Sequence, residues 1–388
     1  MNFIKKIKKD EKGSITIYVI STLLVVLLVI TTMYVGLRNK TTTQTKQIRE
    51  IDKEYNTTDD DMQEAYNNAV NKTLESIKGT ETTNTIVKDN LGNQIVIPAG
   101  FKVINPNNNV TDGIIIEDVS HGATAGSQFV WIPVGEVIKD SAGKKENIEL
   151  KRYIFNADGT VNEELSKTEP EDHLIPVGWP YCYIDGLKNT ATVNTRAKDI
   201  EDFRTKAINN HGYYIGRYEA RDKDTTEERT NTSSTTNQVV CTSYNYVYNN
   251  VTQPQAATLS RKMYNESNFD SDLINSYAWD TAILFLQKFD NRTDKTTSYS
   301  RKSSLNSDFA NQGTNSLEKT LQDKICNIYD MSSNCLEWST ETFEYVDVVH
   351  TSRGGSFSNA VAYTSLRNNF LINDSTIGYY SFRVILYL

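Results

Sequence analysis

Residues that bind transition metals or act in catalysis are scarce in this chain of 388 residues. It has only four cysteines, and no two of them show the Cys-x-x-Cys spacing of a zinc or redox site. It also has only four histidines, and no pair has the i, i+4 spacing that places two metal ligands on one helix face. Gly-x-Ser-x-Gly, His-Glu-x-x-His and phosphate-loop patterns are absent as well. The sequence therefore predicts no enzyme activity of a known mechanism.

The few cysteines and histidines are scattered along the chain. The cysteines permit two disulfide bonds in any of three connectivities, and free thiols are an equal alternative. A histidine outside any motif is partly exposed in most proteins, so we expect each one at the surface or in a loop. The residues concerned are Cys182, Cys241, Cys326 and Cys335, and His121, His173, His211 and His350.

Long apolar runs are absent, with one exception near the N-terminus. Residues 14–37 form 24 consecutive uncharged positions that are rich in Ile, Val and Leu. A helix that rises about 1.5 Å per residue would cross a bilayer core of about 30 Å over this length. A cleaved signal peptide has an apolar region of only about 7–15 residues, so we expect an uncut transmembrane helix.

The charge that precedes this run predicts its orientation. Residues 1–13 contain five lysines against Asp10 and Glu11, which gives this tail a charge of +3. Because positive flanks stay cytoplasmic, we expect a single-pass membrane protein whose chain beyond residue 37 is extracellular. The whole chain carries −8, so the part outside the tail carries −11. Such an acidic surface disfavours nucleic acid as a partner.

The start of the apolar run offers a second interpretation. Lys12, Gly13 and Ser14 resemble a prepilin processing site. Type IV pilins carry a glutamate five residues into the mature chain, whereas Tyr18 occupies that position here. A minor pilin or pilus-tip protein is therefore the alternative function, and it would also be exported.

Residues 38–79 are polar and contain no proline. Apolar residues recur between Ile48 and Ile77 at spacings of three and four, which predicts one or two amphipathic helices. We expect a stalk that carries the following head, and self-association through its apolar stripe is an open alternative.

Residues 80–388 are predicted to form the head. Short β-branched runs separated by Asn, Gly and Pro favour antiparallel strands. These runs are residues 93–97, 113–116, 128–134 and 213–220.

Two helices are predicted within the same head, at residues 253–264 and 277–289. Ser276 is the expected N-cap of the second helix, because serine commonly caps helix N-termini. A stripe of Trp279, Ile283 and Leu286 is expected to be core. Strands and helices together predict an α+β fold.

Three motifs close to the C-terminus resemble one known family. Residues 327–338 read NIYDMSSNCLEW, residues 352–357 read SRGGSF, and the chain ends in SFRVILYL. This series resembles the formylglycine-generating-enzyme (sulfatase-modifying-factor) domain, which has a C-type-lectin-like fold. The resemblance extends from about residue 129 to the end, and it is nearest to exported domains of low-GC Gram-positive bacteria. It implies a C-type-lectin-like head on the transmembrane helix and stalk.

The resemblance also implies where an oxidase would bind its metal. A formylglycine-generating enzyme uses two cysteines after the Arg-Gly-Gly-Ser motif to bind copper, and Asn359 and Thr364 hold those places here. No cysteine follows Cys335, so no soft ligand for Cu(I) is present there. Related sulfoxide synthases bind iron through three histidines, which this chain does not group. We therefore expect neither copper nor iron, and a sulfatase-modifying-factor-type enzyme is the less favoured interpretation.

Calcium is the one metal that the resemblance leaves open. The turn at residues 330–337 binds Ca²⁺ in the family through side-chain and backbone oxygens, which suit this hard cation. Asp330 and Glu337 would supply carboxylates, and Ser333 and Cys335 would supply carbonyl oxygens. The alternative is a structural turn in which both carboxylates accept hydrogen bonds.

One further absence marks the C-terminal segment, residues 354–388. It contains no Lys, Glu, Gln, Met or Trp. These five residue types cannot be encoded by a codon that ends in a pyrimidine, so random changes at the adenines of asparagine codons never produce them. This pattern resembles the target proteins of diversity-generating retroelements, which carry a variable C-terminal stretch on a C-type-lectin-like fold. A short segment of an Asn-rich chain can also lack five residue types by chance.

The resemblance implies a ligand-binding role for this segment in a cell-surface, non-catalytic protein. The turn at Gly354 and Gly355 and the closing strand would fix the backbone, with Arg367 as a structural anchor. Side chains between them would project outward, and Tyr, Ser and Asn are the residues that antibody loops use. The expected ligand is an extracellular macromolecule, either a protein or a glycan. The candidate ligand-binding residues are Phe357, Ser358, Asn359, Ala360, Val361, Ala362, Tyr363, Thr364, Asn368, Asn369, Phe370, Asn373, Asp374, Tyr379 and Tyr380.

Overall fold

The structure is a computed structural model that describes most of the head. The described residues are 72–155, 160–163, 184–185, 200–225, 237–264, 268–290, 324–344, 348–356, 364–365, 367–371 and 378–388. The predicted tail at 1–13 and the transmembrane helix at 14–37 lie outside them, as does the stalk up to residue 71. No helix within the described ranges is long and apolar enough to cross a bilayer.

Within the described residues, the head contains short strands and three α-helices, so the α+β class is confirmed. The helices are α1 (Ile200–Asn209), α2 (Gln253–Met263) and α3 (Ser276–Phe289). The strands are β1 (Thr85–Lys88), β2 (Gln94–Ile97), β3 (Phe101–Val103), β4 (Ile115–Asp118), β5 (Gln128–Pro133), β6 (Gly135–Ile138), β7 (Lys145–Ile148), β8 (Ile184–Asp185), β9 (Gly212–Gly216), β10 (Arg221–Asp222), β11 (Val239–Val240), β12 (Tyr246–Val247), β13 (Asp270–Leu273), β14 (Leu336–Glu344), β15 (Val348–Arg353), β16 (Arg367–Leu371), β17 (Tyr380–Phe382) and β18 (Val384–Tyr387).

An antiparallel sheet of six strands, in the order β13-β18-β9-β5-β4-β3, forms the centre of the head. Its middle strands β5 and β9 carry Trp131, Tyr213 and Tyr214, which are fully buried. The two buried tyrosine hydroxyls are satisfied, because Tyr213 donates to the Ala278 carbonyl and Tyr214 to the Val96 carbonyl. Aromatic residues can fill such a core when their polar ends find partners.

A second sheet has the order β16-β15-β14-β17, and β8 also pairs with β14. Strands β14 and β17 are parallel, whereas β15 is antiparallel to both β14 and β16. Only Arg383 separates β17 from β18, which belongs to the central sheet. Residues 380–387 therefore contribute one strand to each of the two sheets. Smaller sheets pair β1 with β2, β6 with β7, and β10 with β11 and β12.

The predicted helices are present, but α3 begins one residue earlier than expected. Its N-cap is Asn275, whose side-chain oxygen accepts a hydrogen bond from the Ala278 amide. Ser276 is the first residue of the helix rather than its cap, so that prediction was wrong. The predicted stripe is confirmed as core, because Trp279, Ile283 and Leu286 are all fully buried.

The end of the predicted stalk belongs to the head. Leu74 and Ile77 were expected on the apolar stripe of a stalk helix, but both pack into the hydrophobic core. Leu74 begins a short 3-10 helix, Leu74–Ser76, and Ile77 directly follows it. Lys78 forms a bridge with Lys102 of β3. The head therefore begins before residue 80.

Replacing Asn275 by Ala tests the observed cap. Loss of the side-chain acceptor leaves the Ala278 amide unbonded at a buried helix start, so we expect the free energy of unfolding to fall by about 1–2 kcal/mol. Asn275→Ser, which keeps an acceptor oxygen, should recover part of that loss. Urea denaturation of the three proteins measures both effects. Equal stability of the Ala variant and the parent would contradict the assignment.

Candidate functional site: the C-terminal segment and its buried frame

The last motif arginine joins two of the sequence motifs. Arg383 donates to both carboxylate oxygens of Glu337, over 2.9 Å from Nε and 2.5 Å from Nη2. It also donates to the carbonyls of Gly216 and Tyr329 at 2.8 Å each. Both charged side chains are fully buried. A bidentate pair of this kind fixes geometry as well as charge, so the closing strand is held in one position against β14.

A second buried group of charges, the buried ion cluster, consists of Asp280, Glu341, Arg353 and Arg367. Nη2 of Arg353 lies 2.6 Å from Oδ1 of Asp280, and its Nη1 lies 2.9 Å from Oε2 of Glu341. Nη2 of Arg367 lies 2.5 Å from Oδ2 of Asp280, and its Nε lies 2.8 Å from Oε1 of Glu341. Each carboxylate therefore bridges both arginines in a closed ring. The ring ties α3, β14, β15 and β16 together.

The electrostatics of the cluster follow from its burial. Burial alone would raise the pKa of Glu341, but the guanidinium groups of Arg367 and Arg353 lower it to about 2. Burial also opposes the charge of Arg367, and the neighbouring Asp280 and Glu341 nevertheless raise its pKa. Glu341 and Arg367 are therefore both charged in the folded protein, because neighbouring groups of opposite sign outweigh the cost of burial. The prediction that Arg367 is a structural anchor is confirmed.

Further buried contacts hold the C-terminal segment at separate points. The Trp279 indole donates to the Thr364 carbonyl over 2.8 Å, and the Asn249 amide donates to the Gly378 carbonyl over 2.8 Å. The Tyr380 ring stacks on Trp338 with centroids 4.8 Å apart. These contacts, with Arg367 and Arg383, fix the backbone on both sides of residues 357–363 and 372–377.

The turn that opens the segment requires glycine. Gly354 has φ of +78°, and a Cβ atom there would lie 2.6 Å from the Met331 carbonyl oxygen. Both the dihedral and the space exclude other residues without strain. The motif glycine therefore fixes the direction in which the chain leaves β15.

Most candidate ligand-binding residues fall between these contact points. The following candidates lie outside the described residues: Phe357, Ser358, Asn359, Ala360, Val361, Ala362, Tyr363, Asn373 and Asp374.

Three other candidates, Asn368, Asn369 and Phe370, lie on β16, where the structure describes only the backbone. Two candidates do not project outward as predicted, because Thr364 and Tyr380 are buried. Tyr379 is half-buried.

The predicted calcium turn is occupied by protein contacts. Glu337 is neutralised by Arg383, and the Ser333 hydroxyl donates to Asp330 over 3.1 Å. The Cys335 backbone amide donates a hydrogen bond to the side chain of Glu219, which ties this turn to the residues that follow β9. The described part of the chain contains no group of three or more His, Cys, Asp or Glu side chains placed to hold a metal ion. Calcium stays a prediction that these contacts do not favour.

Glu219 is a buried polar residue whose role the sequence did not show. Its side-chain oxygen also accepts a hydrogen bond from the Asn334 side chain. Glu219, which follows β9, therefore helps to hold the turn at residues 330–337 in place. Burial raises its pKa well above the usual range, and Glu337 and Asp330 add to this effect. Only the Tyr-Glu pair after the β9 strand could have indicated it.

The thiols in the described ranges are free: Cys241, Cys326 and Cys335 form no disulfide bond there. Burial raises the pKa of Cys241 to about 12 and raises that of Cys335 as well. A buried thiol that stays protonated is a poor nucleophile and a poor metal ligand. Cys182 lies outside the described residues.

His350 corrects the prediction of surface histidines. It lies on β15 with 1 % of its surface exposed, and its ring meets Trp338 edge-on at 6.5 Å. Its backbone partner on β16 is Phe370, one of the candidate residues. Burial lowers the pKa of His350 to about 4, so the imidazole is neutral in the folded protein at neutral pH.

Comparison with known proteins adds little to this geometry. No family model and no curated protein matches the chain. One solved structure that it resembles is the crystal structure of CarF, with 17 % identity and a TM-score of 0.22. The match covers 31 % of this chain and 48 % of that chain, so this chain spans about half the length of CarF. A likeness of this size carries no argument about fold or function.

Replacing Arg367 by Met tests whether the buried ion cluster fixes the C-terminal segment. The change leaves two buried carboxylates with one arginine in the ring, and we expect a loss of about 3–5 kcal/mol in the free energy of unfolding. Arg367→Lys keeps the charge but loses the two-pronged contact, so its loss should be smaller. As a matched control, Lys145→Gln breaks an exposed ion pair with Glu136 and should cost about 0–1 kcal/mol. A cost for Arg367→Met as small as the control's would contradict this role.

His350 predicts a loss of stability in mild acid. The folded protein resists protonation of this residue down to about pH 4, whereas the unfolded chain takes up the proton near the ordinary histidine pKa of 6.5. Stability from this group is complete above pH 6.5 and falls by up to about 3 kcal/mol between pH 6.5 and 4. His350→Leu should lack this component in urea titrations across that range. The control is His211→Asn, at an exposed histidine, which should keep the pH dependence of the parent. If His350→Leu shows the same pH dependence of stability as the parent, the prediction is refuted.

Proposed function

We propose that the chain is a cell-surface-tethered, non-catalytic protein that binds an extracellular macromolecule through its C-terminal segment. We further propose that its head has the C-type-lectin-like fold of formylglycine-generating-enzyme domains. In this proposal the segment is the target of a diversity-generating retroelement. The observation that carries this proposal is that buried arginines, Arg353, Arg367 and Arg383, hold the chain at fixed points before, between and after residues 357–363 and 372–377.

The anchors coincide with the motifs on which the resemblance rests. Glu337, Arg353 and Arg383 each belong to one of the three motifs, and each is fully buried in an ion pair. Residues used in this way serve the frame rather than a ligand. This arrangement supports a scaffold that tolerates change between the anchors, since the anchors contribute the buried ion pairs that the structure describes.

The composition of the segment supports recognition of a macromolecule. The stretches between the anchors contain Asn, Ser, Tyr, Phe and Thr but no long charged side chain other than Arg. Tyr offers contact area at a small entropic cost, and Ser and Asn offer adaptable hydrogen bonds. Proteins and glycans both match these side chains.

Two observations support the absence of catalysis in this proposal. Thr364 stands where the resemblance places a copper-binding cysteine, and its carbonyl is already bonded to Trp279. The buried thiols Cys241 and Cys335 have raised pKa values and therefore little thiolate character.

A minor pilin is the second candidate, because Gly13 and Ser14 resemble a prepilin processing site. The gene neighbourhood separates the two functions. A reverse transcriptase and a near-copy repeat accompany a diversified binding protein, whereas prepilin peptidase and assembly ATPase genes accompany a pilin.

Sequencing the 3′ end of the gene from several isolates tests diversification. We expect substitutions confined to adenine-derived positions in the codons for residues 357–363 and 368–379, because Thr364 and Tyr380 are buried. The codons for Trp338, Arg353, Arg367 and Arg383 should stay unchanged, because these side chains are buried anchors. Substitutions spread evenly over the coding sequence would overturn the proposal.

A further inference from the structure

Two cations and two tyrosines from outside residues 354–388 form a cluster. We name it the cation–tyrosine cluster: Arg217, Tyr218, Lys324 and Tyr329. The rings of Tyr218 and Tyr329 stack with centroids 5.0 Å apart at an angle of 23°. The Arg217 guanidinium lies 5.3 Å from each ring centroid, and the Lys324 ammonium lies 5.8 Å from that of Tyr329. Both cations therefore approach the same aromatic ring.

The Arg217 side chain is held in place by neutral acceptors. Its Nε donates to the Asn327 carbonyl over 3.2 Å, and its Nη1 donates to the Gln128 side-chain oxygen over 2.7 Å. Gln128 is itself oriented, because its amide nitrogen donates to Glu117 over 2.8 Å. Glu117 in turn pairs with Lys102 at 2.8 Å. Among the described residues, neutral groups thus position the guanidinium in advance.

Lys324 adds a second positive charge beside the first. Partial burial lowers the pKa of Lys324, and the Arg217 guanidinium lowers it further. Across the described ranges, neither cation has a carboxylate within 4.0 Å. The rings offset only part of this charge, because the attraction of a cation to an aromatic face is weak at an exposed site. Among the described residues, these two adjacent cations therefore lack a carboxylate partner, which is unusual in a chain that carries 49 acidic residues.

We propose that the cation–tyrosine cluster binds an oxyanion, either a carboxylate or a sulfate group, between Arg217 and Lys324. Nη2 of Arg217 and the ammonium of Lys324 would donate to its oxygens. A charge-assisted contact of this type is short and directional, and Arg suits a group with two oxygens. The bound anion would also relieve the repulsion between the two cations. The stacked tyrosines would form the apolar wall beside it.

This site goes beyond the proposed function and does not depend on it. Arg217 and Tyr218 follow β9, and Lys324 and Tyr329 precede β14, so none of them belongs to residues 354–388. A chain that binds no macromolecule through the C-terminal segment could still bind an oxyanion here. The reverse also holds, and the two proposals fail independently.

The test measures the unfolding midpoint of the full chain against sodium sulfate and, separately, sodium acetate. Chloride keeps the ionic strength constant. Sulfate stabilises most proteins because it is excluded from their surface, and that effect grows without saturation. A bound ion adds a saturable increment, which we expect at millimolar concentrations. Saturation with both anions indicates an oxyanion site, and saturation with sulfate alone restricts the site to sulfate.

Variants assign the saturable increment to the cluster. Lys324→Gln should weaken anion binding at least fivefold and, in chloride, keep or raise the unfolding midpoint because the repulsion is gone. Arg217→Lys keeps the charge but should also weaken binding, since lysine cannot bond to Asn327 and Gln128 and still present a donor at the position of Nη2. Lys145→Gln, in an exposed pair with Glu136, should bind like the parent. The proposal is refuted if the parent shows no saturable increment, if Lys324→Gln retains it, or if Lys324→Gln lowers stability in chloride.

Discussion

The position of the whole C-terminal segment depends on the ring of two carboxylates and two arginines in the buried ion cluster. Asp280 extends from a helix, whereas Glu341, Arg353 and Arg367 extend from three adjacent strands. Desolvation makes such a ring a modest source of net stability, because the cost of burying each charge offsets most of its attraction. The ring instead penalises any other arrangement, since moving one strand would leave a buried charge without a partner. Its main effect is therefore on the geometry of β16.

Arg383 gives the same kind of constraint at the other end of the segment. Its bidentate pair with Glu337 lies at the single residue between β17 and β18. β17 pairs with β14, whereas β18 pairs with β9 and β13 in the central sheet. A shift of either strand would break the pair, so the two sheets are held in register where the chain passes between them. The short motif around Arg383 is thus explained by packing, without any contact to a ligand.

Periodicity and propensity predicted α2, α3, the β5 and β9 strands and the core stripe on α3, because these depend on local sequence, whereas α1 was not predicted. Burial that depends on contacts with sequence-distant residues could not be predicted from the sequence. Leu74 and Ile77 have helical spacing, yet they pack as a short turn on the head. Ser276 is a good cap by residue type, but Asn275 has the extended backbone that a cap needs. His350, Thr364 and Tyr380 are polar or amphipathic residues whose burial depends on neighbours distant in sequence.

A frame made of buried ion pairs has a consequence for a segment proposed to vary. In an apolar core, a substitution nearby is tolerated when volume is conserved, and alternative packings differ by small energies. A charged ring has few alternative arrangements, since each would strand a charge in a medium of low dielectric constant. Arg367 interrupts the segment with such a contact, so a change at residues 357–363 or 372–377 need not displace β16. The same buried ion pairs therefore fix the backbone at the anchors and allow the residues between the anchors to change.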